Sequence, residues 1–212
     1  MSAVVGIVPA GGSGERLGAD RPKAFVVCAG RPLVEWSLAV LREICDRVVV
    51  AAPEGYDDGP DFVRGGDSRS ASVRNALAAA PEAEIAVVHD AARPLVTRDL
   101  VERCIAALEP GIDGAIAAVP MTDTVKEAAP DGRVVRTLDR SPLWSIQTPQ
   151  VFRADVLRRA LERDAAALAA ATDDAALVEE AGGTVRVVEA PPENIKVTRA
   201  SDLRIVEALL AD

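Results

Sequence analysis

Aromatic side chains are scarce in this 212-residue chain: two tryptophans, one tyrosine and three phenylalanines, 3% of the total. Because 49% of the residues are apolar, valine, alanine, leucine and isoleucine must fill the interior, as they do in parallel sheets covered by helices. No apolar run approaches the roughly 18 residues of a membrane span. The opening stretch reaches a glycine-rich turn at Gly11 and Gly12 where a signal peptide would continue its apolar core. Cysteine is limited to Cys28, Cys45 and Cys104, far apart and without a Cys-x-x-Cys pair. That pattern suits buried thiols in a reducing cytoplasm rather than disulfides or zinc. Positive charge is in deficit, with a formal net charge of −9. General nucleic-acid binding, which leans on basic patches, is therefore not expected, and neither is a membrane partner. Anionic small molecules are not excluded, because a few cations in one cleft can coexist with an acidic exterior.

Short apolar runs alternate with helical periodicity along the chain. Ala3–Val8, Arg47–Ala52, Ile85–His89, Ala115–Val119 and Thr184–Glu189 read as strands, and Asn194–Val197 as extended. Leu33–Cys45, Ser70–Ala80, Thr97–Leu108, Ala154–Ala170, Asp173–Ala181 and Ser201–Leu210 read as helices, with Asp67 or Ser68 capping the second and Thr172 the fifth. The alternation predicts a single α/β domain over residues 1–212, a Rossmann-like, doubly wound and mostly parallel sheet. In such sheets the ligand crevice lies beyond the carboxyl ends of the strands. One stretch breaks the alternation: Thr124–Glu127 and Arg133–Leu138 flank Pro130-Asp131-Gly132, a hairpin signal. Residues 121–143 are read as an inserted β-hairpin arm that packs on a second subunit.

The first strand runs into Pro9-Ala10-Gly11-Gly12-Ser13-Gly14-Glu15-Arg16-Leu17-Gly18, followed by Arg21-Pro22-Lys23. Glycines let a backbone turn tightly and bring its N–H groups against phosphate oxygens. No Gly-Lys-Ser/Thr ends the loop, and Leu17 takes the place of a dinucleotide fingerprint's third glycine, so neither familiar phosphate loop applies. Arg16 and Lys23 trail the glycines at distances that let both fold over a triphosphate. The loop resembles the signature of nucleotidyltransferases that activate sugar and alditol phosphates.

Further motifs follow: Gly65-Gly66-Asp67-Ser68-Arg69-Ser70-Ala71-Ser72, His89-Asp90-Ala91-Ala92-Arg93-Pro94, Asp123-Thr124-Val125-Lys126 and Asp139-Arg140. Later come Gln147-Thr148-Pro149-Gln150, Thr172-Asp173-Asp174 and Asn194-Ile195-Lys196-Val197-Thr198. In this order, from Val8 to the last helix, the set resembles the 2-C-methyl-D-erythritol 4-phosphate cytidylyltransferase family. Ribitol-phosphate cytidylyltransferases share the glycine loop and the His-Asp-Ala-Ala-Arg-Pro string, and stand as the alternative. The chain departs from the commoner family pattern at Gly11, where many relatives carry Ala, and at Ala24, where many carry Gln.

The resemblance implies CMP transfer from CTP to the alditol phosphate, with pyrophosphate as the other product, in the non-mevalonate isoprenoid precursor pathway. It places CTP against Pro9, Ala10, Gly11, Gly12, Ser13 and Gly14, with Gly66, Asp67 and Ser72 reading the cytosine and Asp90 and Ala91 facing the ribose. Arg16, Lys23 and Lys196 are implied as the catalytic cations. Arg93, Thr124, Arg140, Thr148 and Thr172 are implied for the alditol phosphate, part of that pocket coming from the partner's arm in a homodimer. The implied cofactor is Mg²⁺, held mainly by the phosphates rather than by side chains, and the implied compartment is the cytoplasm. No general base is needed, because a phosphate monoester's second pKa lies near 6 and its oxygen is mostly ionised at neutral pH. His89 accordingly reads as structural, and Asp173 and Asp174 read as first-turn acids of a helix.

Overall fold

The computed structural model describes residues 2–18 and 20–211, with the Arg16 side chain outside the description. From the N-terminus the elements are β1 (Val4–Pro9), the ribbon β2 (Val27–Cys28) and β3 (Arg31–Pro32), α1 (Leu33–Ile44), β4 (Arg47–Ala52) and β5 (Phe62–Arg64). Next come α2 (Arg69–Ala78), β6 (Ile85–Val88), α3 (Arg98–Ala106) and β7 (Gly114–Pro120). The remainder comprises β8 (Lys126–Ala128), β9 (Val134–Thr137), β10 (Trp144–Arg153), α4 (Ala154–Leu161), α5 (Ala165–Ala170), α6 (Asp174–Glu180), β11 (Val185–Glu189) and α7 (Ala200–Ala211).

Seven strands build one sheet in the order β11-β7-β10-β6-β1-β4-β5. β10 runs antiparallel to β6 and β7, and the other neighbours pair in parallel. Both faces are covered, which the strands record residue by residue. Val5, Ile7, Val49, Ala51, Ala86 and Val88 belong to the core beneath α2, α4, α5 and α6. Their neighbours Val8, Val48, Val50, Ala52 and Val87 belong to the core beneath α1 and α3. Successive side chains of a strand point to opposite faces, so an unbroken apolar run is what a sheet buried on both sides requires.

The doubly wound, mostly parallel expectation therefore holds, and three local readings change. The run from Trp144 to Arg153 is a strand, although its apolar residues are interrupted by Gln147, Thr148 and Gln150. Those polar residues sit where the register with β7 shifts between Ile146 and Gln150. The helix expected over Ala154–Ala170 divides in two, because Asp164 turns the chain and its side chain accepts the Ala167 N–H as a fresh N-cap. α6 is capped by Asp173, whose carboxylate accepts the Ala176 N–H, rather than by Thr172. The segment 194–197, expected to be extended, joins no strand among the described residues, and Val197 bonds through its N–H to the Ala92 carbonyl and is fully buried.

The 121–143 stretch does form a hairpin, β8 paired antiparallel with β9, joined through Pro130-Asp131-Gly132. Val134 and Val135 of β9 are both exposed.

Candidate functional site

The loops that leave β1, β5, β6 and β11 meet over the sheet's carboxyl end, between β1 and β6, where the chain winds away in opposite directions. Two adjoining clefts open there. The first, about 260 Å³, is lined by Pro9, Ala10, Gly11, Gly12, Lys23, Gly66, Asp67, Ser72, Asp90, Ala91 and Lys196, together with Ala24, Ser68, Arg69 and Ala92. The second, about 290 Å³, is lined by Arg93, Thr148, Thr172, Ile146, Gln147, Gln150 and Asp173. Arg69, Asp90 and Lys196 line both and form the seam between them.

Asp90 is the hub of that seam. Its Oδ1 accepts from Arg69 Nε at 2.9 Å and its Oδ2 from Lys196 Nζ at 2.6 Å. Burial alone would lift this carboxyl, but Arg69 and Lys196 outweigh it and hold Asp90 well below the usual carboxylate range. Arg69 also donates through Nη1 to Asp174 Oδ2 at 2.6 Å, and the Asp174 side chain is fully buried. Lys23 enters the first cleft from the glycine loop and donates from Nζ to the Val197 carbonyl at 3.1 Å, next to Lys196.

Three glycine positions show what the loop needs. At Gly14 φ is +79°, and an added Cβ would lie 2.7 Å from the Arg21 carbonyl oxygen. Gly66 has an ordinary φ, yet a Cβ there would meet Ala71 Cβ at 2.6 Å, so α2 packs directly on its backbone. Gly11 is different: its added Cβ would meet only Ser72 Oγ, at 3.9 Å. Ser72 is itself occupied, accepting the Gly66 N–H at 3.0 Å and donating to the Ser68 carbonyl at 2.9 Å. It thereby braces the floor of the first cleft.

Behind the second cleft, Arg93 donates through Nη1 to the Asn194 carbonyl at 2.7 Å, while its buried Nε has no hydrogen-bond partner among the described residues. Asn194 is fully buried and donates from Nδ2 to Gln147 Oε1 at 2.8 Å and to the Thr148 carbonyl at 2.9 Å. Gln150 donates from Nε2 to Asp173 Oδ2 at 2.7 Å. His89 is fully buried, and its pKa falls from 6.5 to about 4. Burial is the main cause, helped by Arg93 and Arg69, against the Arg93 carbonyl and Asp90, which pull the other way.

Most of the residues singled out from the sequence thus converge on the two clefts. Ser13 and Gly14 shape the loop without lining either one, and the Arg16 side chain lies outside the described residues. Thr124 and Arg140 are exposed at the hairpin arm and line neither cleft; the Arg140 guanidinium donates to the Thr122 carbonyl. Sequence reasoning assigned no role to Arg69, Asn194 or Gln150, and read Asp174 as a helix-dipole acid. Arg69 did leave a signal. It opens α2, where a cation opposes the helix dipole, so its position calls for carboxylate partners. Asn194 and Gln150 left none, since their partners, the Gln147 amide and the Thr148 carbonyl for the one and the Asp173 carboxylate for the other, lie far away in sequence.

Known proteins match the chain along nearly its whole length. The family model described as 2-C-methyl-D-erythritol 4-phosphate cytidylyltransferase matches residues 4–212. A protein of that name from Rubrobacter xylanophilus is 44% identical over 226 residues, covering 100% of this chain and 96% of its own. Another from Frankia casuarinae is 44% identical over 219 residues, covering 98% of this chain and 81% of its own. The crystal structure of the enzyme of that name from Thermus thermophilus superposes with a TM-score of 0.84 at 35% identity, with both chains fully covered.

Two outcomes follow from this geometry. Gly14→Ala should lower the unfolding free energy by about 1–3 kcal/mol, because it forces an alanine into a left-handed backbone against a carbonyl. Gly11→Ala should stay within about 0.5 kcal/mol of the parent; urea titration of both checks the contrast. Stability should also carry a histidine signature. The neutral His89 contribution is complete above pH 6.5 and is lost as pH falls toward about 4, on the order of 3 kcal/mol in all. His89→Gln does not titrate, so urea midpoints of the two proteins measured across that range should converge as pH falls.

Proposed function

The chain belongs to the 2-C-methyl-D-erythritol 4-phosphate cytidylyltransferase family, and we propose that its first cleft takes CTP and its second the alditol phosphate. It is a nucleotidyltransferase that moves CMP from CTP to 2-C-methyl-D-erythritol 4-phosphate, releasing pyrophosphate, in isoprenoid precursor synthesis. One observation carries the assignment of the clefts: Arg69, Asp90 and Lys196 line both. Two substrates lying in them would meet at a shared pair of cations and the carboxylate between them. Arg93, a cation that lines the second cleft, supports an anion there.

An ionised phosphate oxygen of the acceptor attacks the α-phosphorus of CTP in line. The new P–O bond forms as the bond to the bridging oxygen of the β-phosphate breaks, and pyrophosphate leaves. Such transfers depend on positioning and charge neutralisation more than on covalent help from the protein. Lys23, whose ammonium group reaches the Val197 carbonyl, and Lys196, whose ammonium group reaches Asp90, would stabilise charge at the α-phosphate. Arg16, on the same loop, would hold the departing pyrophosphate. Asp90 would face the ribose hydroxyls, and Gly66, Asp67 and Ser72 the cytosine edge. Thr148 and Thr172 would complete the acceptor pocket.

A divalent cation such as Mg²⁺ fits this donor set as a passenger of the nucleotide. Among the described residues no group of three His, Cys, Asp or Glu side chains could hold a metal, and Asp90 is the carboxylate that lines both clefts. Mg²⁺ is commonly bound by one or two carboxylates plus substrate phosphates; bound so, it would offset triphosphate charge.

The arm would pack on a second copy through Val134 and Val135, and would carry Thr124 and Arg140 to the partner's second cleft. No described helix is long and apolar enough to cross a membrane, and the cytoplasm is the compartment we infer.

Pyrophosphate release with CTP and Mg²⁺ tests the assignment. Release is expected with 2-C-methyl-D-erythritol 4-phosphate and not with ribitol 5-phosphate, and a chelator should abolish it; the reverse preference would overturn the acceptor. Lys196→Ala should lower kcat by about 10²–10³-fold, and near-normal turnover would remove Lys196 from the mechanism. Sedimentation should show a dimer that Val134→Asp with Val135→Asp converts to monomer with loss of turnover.

A further inference from the structure

That mechanism leaves the chain's single histidine without a task, yet His89 is fully buried directly before the hub carboxylate. Its Nε2 lies 3.1 Å from the Arg93 carbonyl oxygen, and its Nδ1 lies 3.1 Å from Thr148 Oγ1. A carbonyl only accepts, so Nε2 carries the hydrogen. Nδ1 of the neutral ring is then a lone pair, and it takes the proton of the Thr148 hydroxyl. That hydroxyl keeps a lone pair, which accepts the Asp90 backbone N–H at 3.0 Å. A directional chain thus runs from the Asp90 N–H through the Thr148 hydroxyl and the imidazole to the Arg93 carbonyl. Each member has the only role its chemistry leaves. The other tautomer, or the imidazolium, would place an N–H at Nδ1. The hydroxyl would then face two donors with nowhere to send its own proton.

The two ends of the chain matter. Arg93 comes from the loop after β6 and Thr148 from β10, and both line the second cleft. Asn194 ties the same two residues a second time, through its own carbonyl and its amide. Removing the imidazole therefore leaves the fold held and loosens the geometry.

We propose that His89 is a positioning residue for the transfer reaction: as the neutral Nε2–H tautomer it fixes Thr148 and the Arg93 backbone in the arrangement that receives the acceptor's phosphate. This rests on the second cleft being the acceptor site. It gives the histidine no part in proton transfer to substrate, because both ring nitrogens are already engaged. Burial, with Arg93 and Arg69 nearby, keeps the ring neutral, and the contacts to the Arg93 carbonyl and the Thr148 hydroxyl keep the tautomer single.

With one histidine in the chain, ¹⁵N–¹H spectroscopy of histidine-labelled protein at neutral pH reads this ring alone. A protonated Nε2 with a bare Nδ1 is expected; a protonated Nδ1 overturns the proposal. Kinetics supply the second arm. Gln sets an amide donor and a carbonyl acceptor at about the spacing of the ring nitrogens, whereas Leu offers neither. His89→Leu should raise KM for the alditol phosphate about tenfold more than KM for CTP, as expected for stranding two buried polar partners. His89→Gln should return that ratio to within about threefold of the parent. A folded Leu variant with both KM values unchanged, or changed equally, overturns the positioning role. Should the Leu variant not fold, the tautomer decides together with the Gln variant, whose loss of acceptor affinity would overturn the proposal. Failure of the acceptor assignment shows separately, as absent pyrophosphate release by the unaltered enzyme, and leaves the tautomer measurement intact.

Discussion

A single carboxylate held between two cations organises this protein. Asp90 is nearly buried, and a buried charge costs several kcal/mol unless well-placed partners offset it. Arg69 and Lys196 do so from 21 residues before and 106 residues after it in sequence. Arg69 in turn is anchored by Asp174, 105 residues away. The chain must therefore bring the start of α2, the loop after β6, the start of α6 and the segment after β11 to one point. The strand order does this, because β1 and β6 are neighbours from which the chain leaves in opposite directions across the sheet, toward β4 and toward β7, leaving a crevice at their ends.

That arrangement reconciles the acidic chain with its anionic substrates. The formal charge of −9 is spread over the whole chain, while Lys23, Arg69, Arg93 and Lys196 gather at the two clefts. Between them the glycine loop offers backbone in place of side chains. Its turn is fixed where it must be, at Gly14, and relaxed where it need not be, at Gly11. A residue that differs from the commoner family choice at Gly11 thus sits where the structure has room for either.

How much of this was legible in the sequence depends on what each residue answers to. The parallel strands announced themselves, because burial on both faces demands uninterrupted apolar runs such as Arg47–Ala52. The glycine loop and the string from His89 to Pro94 were visible because backbone approach and local cations leave a compact mark. β10 escaped because its functional middle, Gln147 to Gln150, faces a cleft rather than a core, so polar residues break the pattern on which strands are recognised. Asp174 misled for a different reason. An acid in a helix's first turn is explained by the dipole alone, and nothing local reveals that an arginine from another helix comes to meet it. Thr124 and Arg140 were visible through resemblance only, and nothing in their own surroundings in one chain explains them.

The position of β10 in the sheet also bears on how the molecule is made. It lies between β6 and β7, yet it comes after β7 and the whole hairpin arm in sequence. A chain emerging from the ribosome presents β7 with neither of its sheet neighbours, and β6 with one edge open, until Arg153 has been synthesised. Unpaired strand edges invite pairing with other chains, and such exposure is the route by which partly made proteins aggregate. The acceptor cleft, which borrows Thr148 and Gln150 from this strand, and the middle of the sheet thus depend on the same late strand. A fragment ending before that strand is no half-enzyme with a working nucleotide site, but an open-edged intermediate.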